Sequence, residues 1–324
     1  MRKTTFFDLR LFPSNIAMVF AVLFLCSCRA EEADPHAVFD SAGEAFEAGN
    51  PALAESLLVQ VTVLEPGNAN ALYNLGTVRM SVGDYNGAVQ AYRQVIEADS
   101  SRVDALTGLA GALVGAGRLE EALETGAMAV ELNPSDGMAF NHYGMALLET
   151  GSYSEAASCF NTALRRSPNN PSVLYNCGNI SMMAGDAEKA LQYFESVLSL
   201  SPNHYGAATG RARALGMLER HQEAEEAALV IIAAWPGDLQ GRELLALAYS
   251  EQGRFSEAIE VLERMIQDCP NNPMVRLGLA ECYQGMGDME SALVEYESFM
   301  LMLPDTSGTA SIRNRIALLE GICE

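Results

Sequence analysis

Between residues 35 and 306, apolar side chains recur every three or four positions rather than every second one, which is the period of an amphipathic helix. In the stretch 137–170, GMAFNHYGMALLETGSYSEAASCFNTALRRSPNN, the pattern breaks at Gly151 and again at Pro168. It therefore predicts two short helices with a turn between them and a stop after them. This stretch is 34 residues long, and steps of 34 from Ala156 land on Ala54, Ala88, Ala122, Ala190, Ala224, Ala258 and Ala292. The same step from Gly151 reaches Gly49, Gly83, Gly117, Gly185, Gly253 and Gly287, with Glu219 the exception. From Pro168 it reaches Pro66, Pro134, Pro202, Pro236, Pro270 and Pro304, with Ser100 the exception. Seven of the 12 prolines thus share one phase, which composition alone does not produce. Val- and Thr-rich runs of period two are few, while Ala, Leu, Glu and Met dominate, so the chain is expected to be all-α.

Eight such units starting at 35, 69, 103, 137, 171, 205, 239 and 273 fill residues 35–306 without remainder. Positions 4, 7, 8 and 11 of a unit share one face of its first helix; in the fourth unit they are Phe140, Tyr143, Gly144 and Leu147. Position 8 is small throughout: Ala42, Gly76, Ala110, Gly144, Gly178, Ala212, Ala246 and Ala280. Small residues at positions 8 and 20 let the two helices approach closely. Large ones at position 24 (Tyr92, Phe160, Phe194, Tyr296) then fill the space toward the next unit. Glycine at position 15 ends the first helix in the left-handed conformation at no steric cost. Proline at position 32 cannot continue the second. A single unit cannot bury its apolar face; a stack can.

Small residues at 8 and 20 in all eight copies, with often large residues at 24 and in-phase glycine and proline in seven copies each, resemble the tetratricopeptide repeat family over about five-sixths of the chain. The resemblance implies a right-handed superhelical α-solenoid of eight helix-turn-helix units. The segment TASIRNRIALLEG (309–321) has helical spacing at Ile312, Ile316 and Leu319, and within residues 307–324 it reads as the solvating helix that closes such arrays. In that family a stripe at positions 5, 9 and 12, with 2 and 13, lines the concave groove where partner peptides lie. Here the stripe carries Phe39, Phe46, Tyr73, Met80, Asn141, Met145, Tyr175, Asn179, Met182 and Met183. Methionine and aromatic side chains offer adaptable apolar contact, and asparagine pairs with backbone amides. Several of these side chains are also expected to serve packing between helices. The lysine-rich carboxylate clamp of one subclass is not matched: Asn74 and Asn176 stand at position 6, but Tyr73 and Tyr175 replace the lysine.

The sixth unit departs most from the rule. Glu219 replaces the turn glycine, Arg211 stands at core position 7, and Gly206, Gly210 and Gly216 are expected to loosen the first helix. Two readings follow: a flexible joint with Arg213 offering a cation to an acidic partner group, or drift with Arg211 carrying its head to water. Drift is favoured.

Ahead of the array, Arg2, Lys3 and Arg10 precede the apolar run Ile16–Leu25, too short to span a bilayer but of signal-peptide length. Leu25-Cys26-Ser27-Cys28 resembles a bacterial lipobox, which implies a signal peptide at 1–27, lipidation of Cys28 and a polar tether over 28–34. Bulky Leu25 makes Cys26 the poorer acceptor. Arg29 follows Cys28 where aspartate would retain a lipoprotein in the inner membrane of some bacteria, so an outer-membrane site facing the periplasm is expected. Losing Arg2, Lys3, Arg10 and Asp8 removes two net positive charges and takes the formal charge from −22 to −24. Such a field repels phosphate backbones and no basic stripe offsets it, so nucleic acid is not an expected partner.

No catalytic constellation is present in the sequence. His36, His142, His204 and His221 lie in different units without metal-ligand spacing, and there is no nucleophile elbow or phosphate-cradling loop. Neither a metal, a cofactor nor a small-molecule substrate is expected. Cys159, Cys177, Cys269, Cys282 and Cys323 form an odd, irregularly spaced set. Cys159 and Cys177 are candidates for a disulfide in an exported protein, but buried cysteines acting as small hydrophobes are the favoured reading. The expected function is a non-enzymatic scaffold that holds extended segments of other proteins while lipid-anchored in a bacterial envelope. The alternatives are a structural component of an envelope machine (pilus or secretin, or outer-membrane assembly) with no peptide ligand, and an unrecognised enzyme.

Overall fold

A computed structural model of the chain describes residues 34–303 and 309–323; the signal-peptide and lipidation expectations, with Cys28, lie outside them. The described residues form seventeen α-helices and no strand. Sixteen run in pairs: α1 (Pro35–Glu47) with α2 (Pro51–Leu64), α3 (Ala69–Ser81) with α4 (Tyr85–Ala98), and α5 (Val103–Gly115) with α6 (Leu119–Leu132). Next come α7 (Gly137–Glu149) with α8 (Tyr153–Arg166), α9 (Pro171–Met183) with α10 (Ala187–Leu200), and α11 (Tyr205–Met217) with α12 (His221–Ala234). The last pairs are α13 (Leu239–Glu251) with α14 (Phe255–Asp268) and α15 (Pro273–Met286) with α16 (Met289–Met302), followed by α17 (Ala310–Cys323). Each first helix starts 34 residues after the one before it, as does each second helix.

Local chemistry sets these boundaries. Asn50, Asn68, Asp84, Asp136, Asn170, Asp186, Asp238, Asn272 and Asp288 each accept a backbone N–H of the first helical turn, satisfying a donor that the helix itself cannot. The seven turn glycines have φ between 71° and 84°. Glu219, which stands in the eighth such place, has φ 56° and is the one non-glycine with positive φ among the described residues. The turn is therefore imposed on a residue with a Cβ, at a cost of about 1–2 kcal/mol.

Packing follows the small-and-large rule. The position-20 alanines are fully buried except Ala224, at 6% exposure. Tyr92 is wedged between two glycines: a Cβ on Gly76 of its own pair would come within 2.8 Å of its ring, and one on Gly108 of the next pair within 2.6 Å. Phe194 is wedged in the same way between Gly178 and Gly210, each at 2.6 Å. Gly206 would in turn meet the Tyr175 hydroxyl at 2.7 Å. Gly206 and Gly210, read from the sequence as loosening the helix, thus also have a packing reason, because aromatic rings occupy the space a side chain would need. Nothing lies within 4 Å of a Cβ at Gly216. Arg211 is one-third exposed with Nε 3.6 Å from Glu195 Oε1.

The chain forms two compact bodies, one up to Ala129 and one from Val130, with the boundary inside α6. Within the first body α3 touches α5; within the second, α7 touches α9, α9 touches α11, α11 touches α13 and α13 touches α15. In these neighbouring pairs, each within one body, the first helices approach one another more closely than the second helices do. The stripe at positions 5, 9 and 12 lies on these first helices.

Candidate partner-binding stripe

In the first body, Phe39 is half-buried against the cluster of Ala42, Ala45 and Leu58, and Phe46 is 39% exposed. Tyr73 is half-buried: its ring meets Tyr92 edge-on at 5.6 Å, and the Arg102 guanidinium lies 5.2 Å above it. Arg102 is itself fixed, donating from Nε and Nη2 to the two Asp104 oxygens at 2.8 Å and from Nη1 to Asn70 Oδ1 at 3.0 Å. That bidentate pairing holds the Asp104 carboxyl below its ordinary range. The cation, planar and stacked on an aromatic ring, was not among the expected site residues; it sits at the last position of its repeat, which the helical stripe does not include. Met80 is half-buried at the end of α3.

In the second body, Tyr175 is half-buried with its ring 4.9 Å from His204 and 6.0 Å from Phe194. His204 is held in turn because its Nδ1 accepts the Ala207 N–H at 3.1 Å and caps α11. Asn179 and Met182 are half-buried and Met183 is 56% exposed, so α9 presents a run of accessible apolar and amide side chains around Tyr175. Met145 is half-buried on α7. Asn141 stands apart. At 1% exposure its Oδ1 accepts Asn176 Nδ2 at 2.9 Å, and its own Nδ2 faces Met145 Sδ at 3.7 Å. This asparagine ties α7 to α9 and has no free amide to offer a peptide. Arg213 is exposed on α11 near Tyr205, whose hydroxyl donates to Asp238 Oδ1 at 2.8 Å. Burial first, and then that hydrogen bond, push Tyr205 up to about 12.

The same stripe continues into places that were not expected. Positions 5, 9 and 12 of the seventh pair (Glu243, Leu247, Ser250) and 2, 5 and 9 of the eighth (Met274, Leu277, Glu281) line a cleft of about 280 Å³. The signal that finds them is the register itself, without the restriction to aromatic, methionine and asparagine side chains. A second cleft, of about 500 Å³, lies between α8, α9 and α10 and is lined by Tyr153, Cys177, Met183 and Lys189. Cys159, Cys177, Cys269 and Cys282 are free thiols. Burial pushes Cys177 up to about 11, and its Sγ donates to the Phe160 carbonyl at 3.7 Å. Among the described residues no group of three or more His, Cys, Asp or Glu side chains is placed to hold a metal ion. No described helix is long and apolar enough to cross a membrane.

Paired helices of fixed length, turned by left-handed glycines and stacked through aromatic wedges, define a helical-repeat solenoid. Tetratricopeptide repeat models match residues 73–137 and 144–205 in one case, and 181–248 and 249–307 in another. The chain belongs to the tetratricopeptide repeat family. Proteins of this family are generally adaptors that bind other proteins or peptides. No curated protein matches the chain. Among solved structures it is similar to the APC/C hetero-tetramer Cut9–Hcn1 (TM-score 0.66, 14% identity, 96% of this chain and 61% of that one). It is also similar to PilF of Pseudomonas aeruginosa (TM-score 0.53, 22% identity, 65% of this chain and 96% of that one). A tetratricopeptide repeat protein of Parabacteroides merdae matches over 88% of this chain and 98% of its own at 19% identity and a TM-score of 0.48. At these identities the likeness is one of fold.

Proposed function

We propose that this chain is a non-enzymatic scaffold that holds segments of partner proteins along its first-helix stripe. The observation that carries the reading is the cluster on α9. Tyr175 is clamped by His204 and Phe194, while Asn179, Met182 and Met183 remain accessible beside it. A rigid aromatic anchor flanked by adaptable side chains is the arrangement that gives binding energy at low entropic cost. Tyr73, braced by Tyr92 and Arg102, offers the same in the first body. Residues 35–306 act on this reading as eight repeats, with 307–324 closing the last. Cys28 carries the lipid, the tether over 28–34 keeps the repeats near the bilayer, and the chain resides in a bacterial envelope, at the outer membrane facing the periplasm. Several acyl chains hold such a protein far more firmly than one, since each buried CH₂ contributes about 0.8 kcal/mol.

Crosslinking in native membranes, comparing the wild type with a Tyr73→Ser/Met145→Ser/Tyr175→Ser variant, tests the scaffold. The variant is expected to lose its crosslinked partners while keeping its helical signal. Partners retained at wild-type yield would instead support an assembly component without a peptide ligand. Metabolic labelling with an alkyne fatty acid tests the anchor: label is expected on the wild type and absent from Cys28→Ser.

A further inference from the structure

We propose that the cleft between α13 and α15 is a separate subsite for a cationic, apolar stretch of a partner protein, in which a large aliphatic side chain is flanked by lysine or arginine. This rests on reading the first-helix stripe as the binding face, and it names the chemistry that one end of the stripe selects.

The floor of the cleft is apolar and buried: Ala246, Leu262 and Val275 are 4%, 5% and 1% exposed. Gly278 helps keep it open, since a Cβ there would already come within 3.2 Å of Leu262. At the rim Leu247 and Met274 are 53% and 60% exposed, so apolar surface on two helices faces solvent across an indentation of about 280 Å³. That size takes a side chain rather than a cofactor, and a methionine at the rim adjusts to the shape of what enters.

Charge selects the occupant. Glu243 and Glu281 stand at the rim, both exposed. No cation pairs with Glu243 among the described ion pairs. Among the described ion pairs Glu281 meets Arg315 of α17, at 3.2 Å, with both side chains about half exposed (50% and 47%). A pair so open to water is worth little and exchanges readily. A lysine or arginine beside the buried aliphatic group would neutralise both carboxylates, whereas an acidic segment would meet two like charges and a chain of net charge −22.

The test uses the full-length chain in a non-ionic detergent and two fluorescein-labelled octapeptides, one alternating leucine with lysine and one alternating leucine with glutamate. Anisotropy titrations at low salt are expected to show the lysine peptide binding about tenfold more tightly. In Glu243→Lys/Glu281→Lys the order of the two peptides should reverse. A Glu226→Lys/Glu297→Lys control, which makes the same net charge change at exposed positions elsewhere, should keep the wild-type order. Arg315→Gln, which frees Glu281, should strengthen the lysine peptide severalfold, a gain that loss of packing would not produce. Leu247→Ser/Met274→Ser should weaken both peptides. An unreversed order in Glu243→Lys/Glu281→Lys, or an equal change in the control, overturns the assignment. So does sedimentation showing that the cleft is occupied by a second copy of the chain. The Tyr73→Ser/Met145→Ser/Tyr175→Ser variant should still bind the lysine peptide here. If the charge reversal fails while that variant releases its crosslinked partners, the cleft assignment falls and the scaffold stands.

Discussion

Glu219 holds a left-handed turn with φ 56°, where seven other turns use glycine. Glu219→Gly is therefore expected to raise the thermal midpoint, with a gain of about 1 kcal/mol after the greater freedom of glycine in the unfolded chain is subtracted. Circular dichroism melts read it directly. Gly210 shows the opposite case. Alanine there improves helix propensity, but its Cβ would stand 2.6 Å from the Phe194 ring. Gly210→Ala should cost about 1–3 kcal/mol, and a double-mutant cycle with Phe194→Leu should recover part of the loss. Propensity alone favours the alanine; a ring from the preceding pair decides against it.

Titration acts at the same scale. Burial raises Cys177 from 9.0 to about 11 and Tyr92 from 10.0 to about 12, and both side chains are nearly inaccessible, at 2% and 3% exposure. The native state keeps these protons where the unfolded chain releases them. The stability they contribute is whole below pH 9, falls for Cys177 as pH rises from about 9 to 11, and falls for Tyr92 from about 10 to 12. Each loss is on the order of 1–3 kcal/mol. Urea midpoints measured from pH 8 to 11 should decline, and Cys177→Ala should flatten the first part of the decline.

For the helices, turn glycines, stopping prolines and apolar period were legible along the chain, and the helix starts fall on the 34-residue step because these are local properties. What two helices do to each other was less so. Asn141, expected on the binding stripe, is buried because Asn176, 35 residues on, donates to it across α7 and α9. Asn176→Leu should cost about 1–3 kcal/mol, since it leaves a buried carbonyl without a donor. Asn141→Leu/Asn176→Leu together should cost less than the sum of the single changes, as chemical denaturation of the set will show. Arg102 over Tyr73 is a contact between the last position of a repeat and its first helix, and the stripe written on a single helix does not contain it.

In the molecule as a whole, α17 closes the array by burying Ile312 and Leu319 against Tyr296 and Phe299, and Arg315 donates to the Tyr296 hydroxyl at 3.0 Å. A repeat array is stabilised through its neighbours, so an uncovered end frays. A chain ending at residue 308 should bind more of an apolar fluorescent dye, and its denaturant transition should broaden as the last pair melts ahead of the rest. By itself the sequence determined the helices, their turns and the alternation of small and large side chains, because each depends on the residue in place and on a period the chain repeats. Only tertiary structure decided which side chains stay open to a partner. Tyr175 is clamped, Asn141 is buried and Leu247 faces a cleft, since exposure depends on what the next helix pair sets opposite each position, and the repeat does not specify that residue.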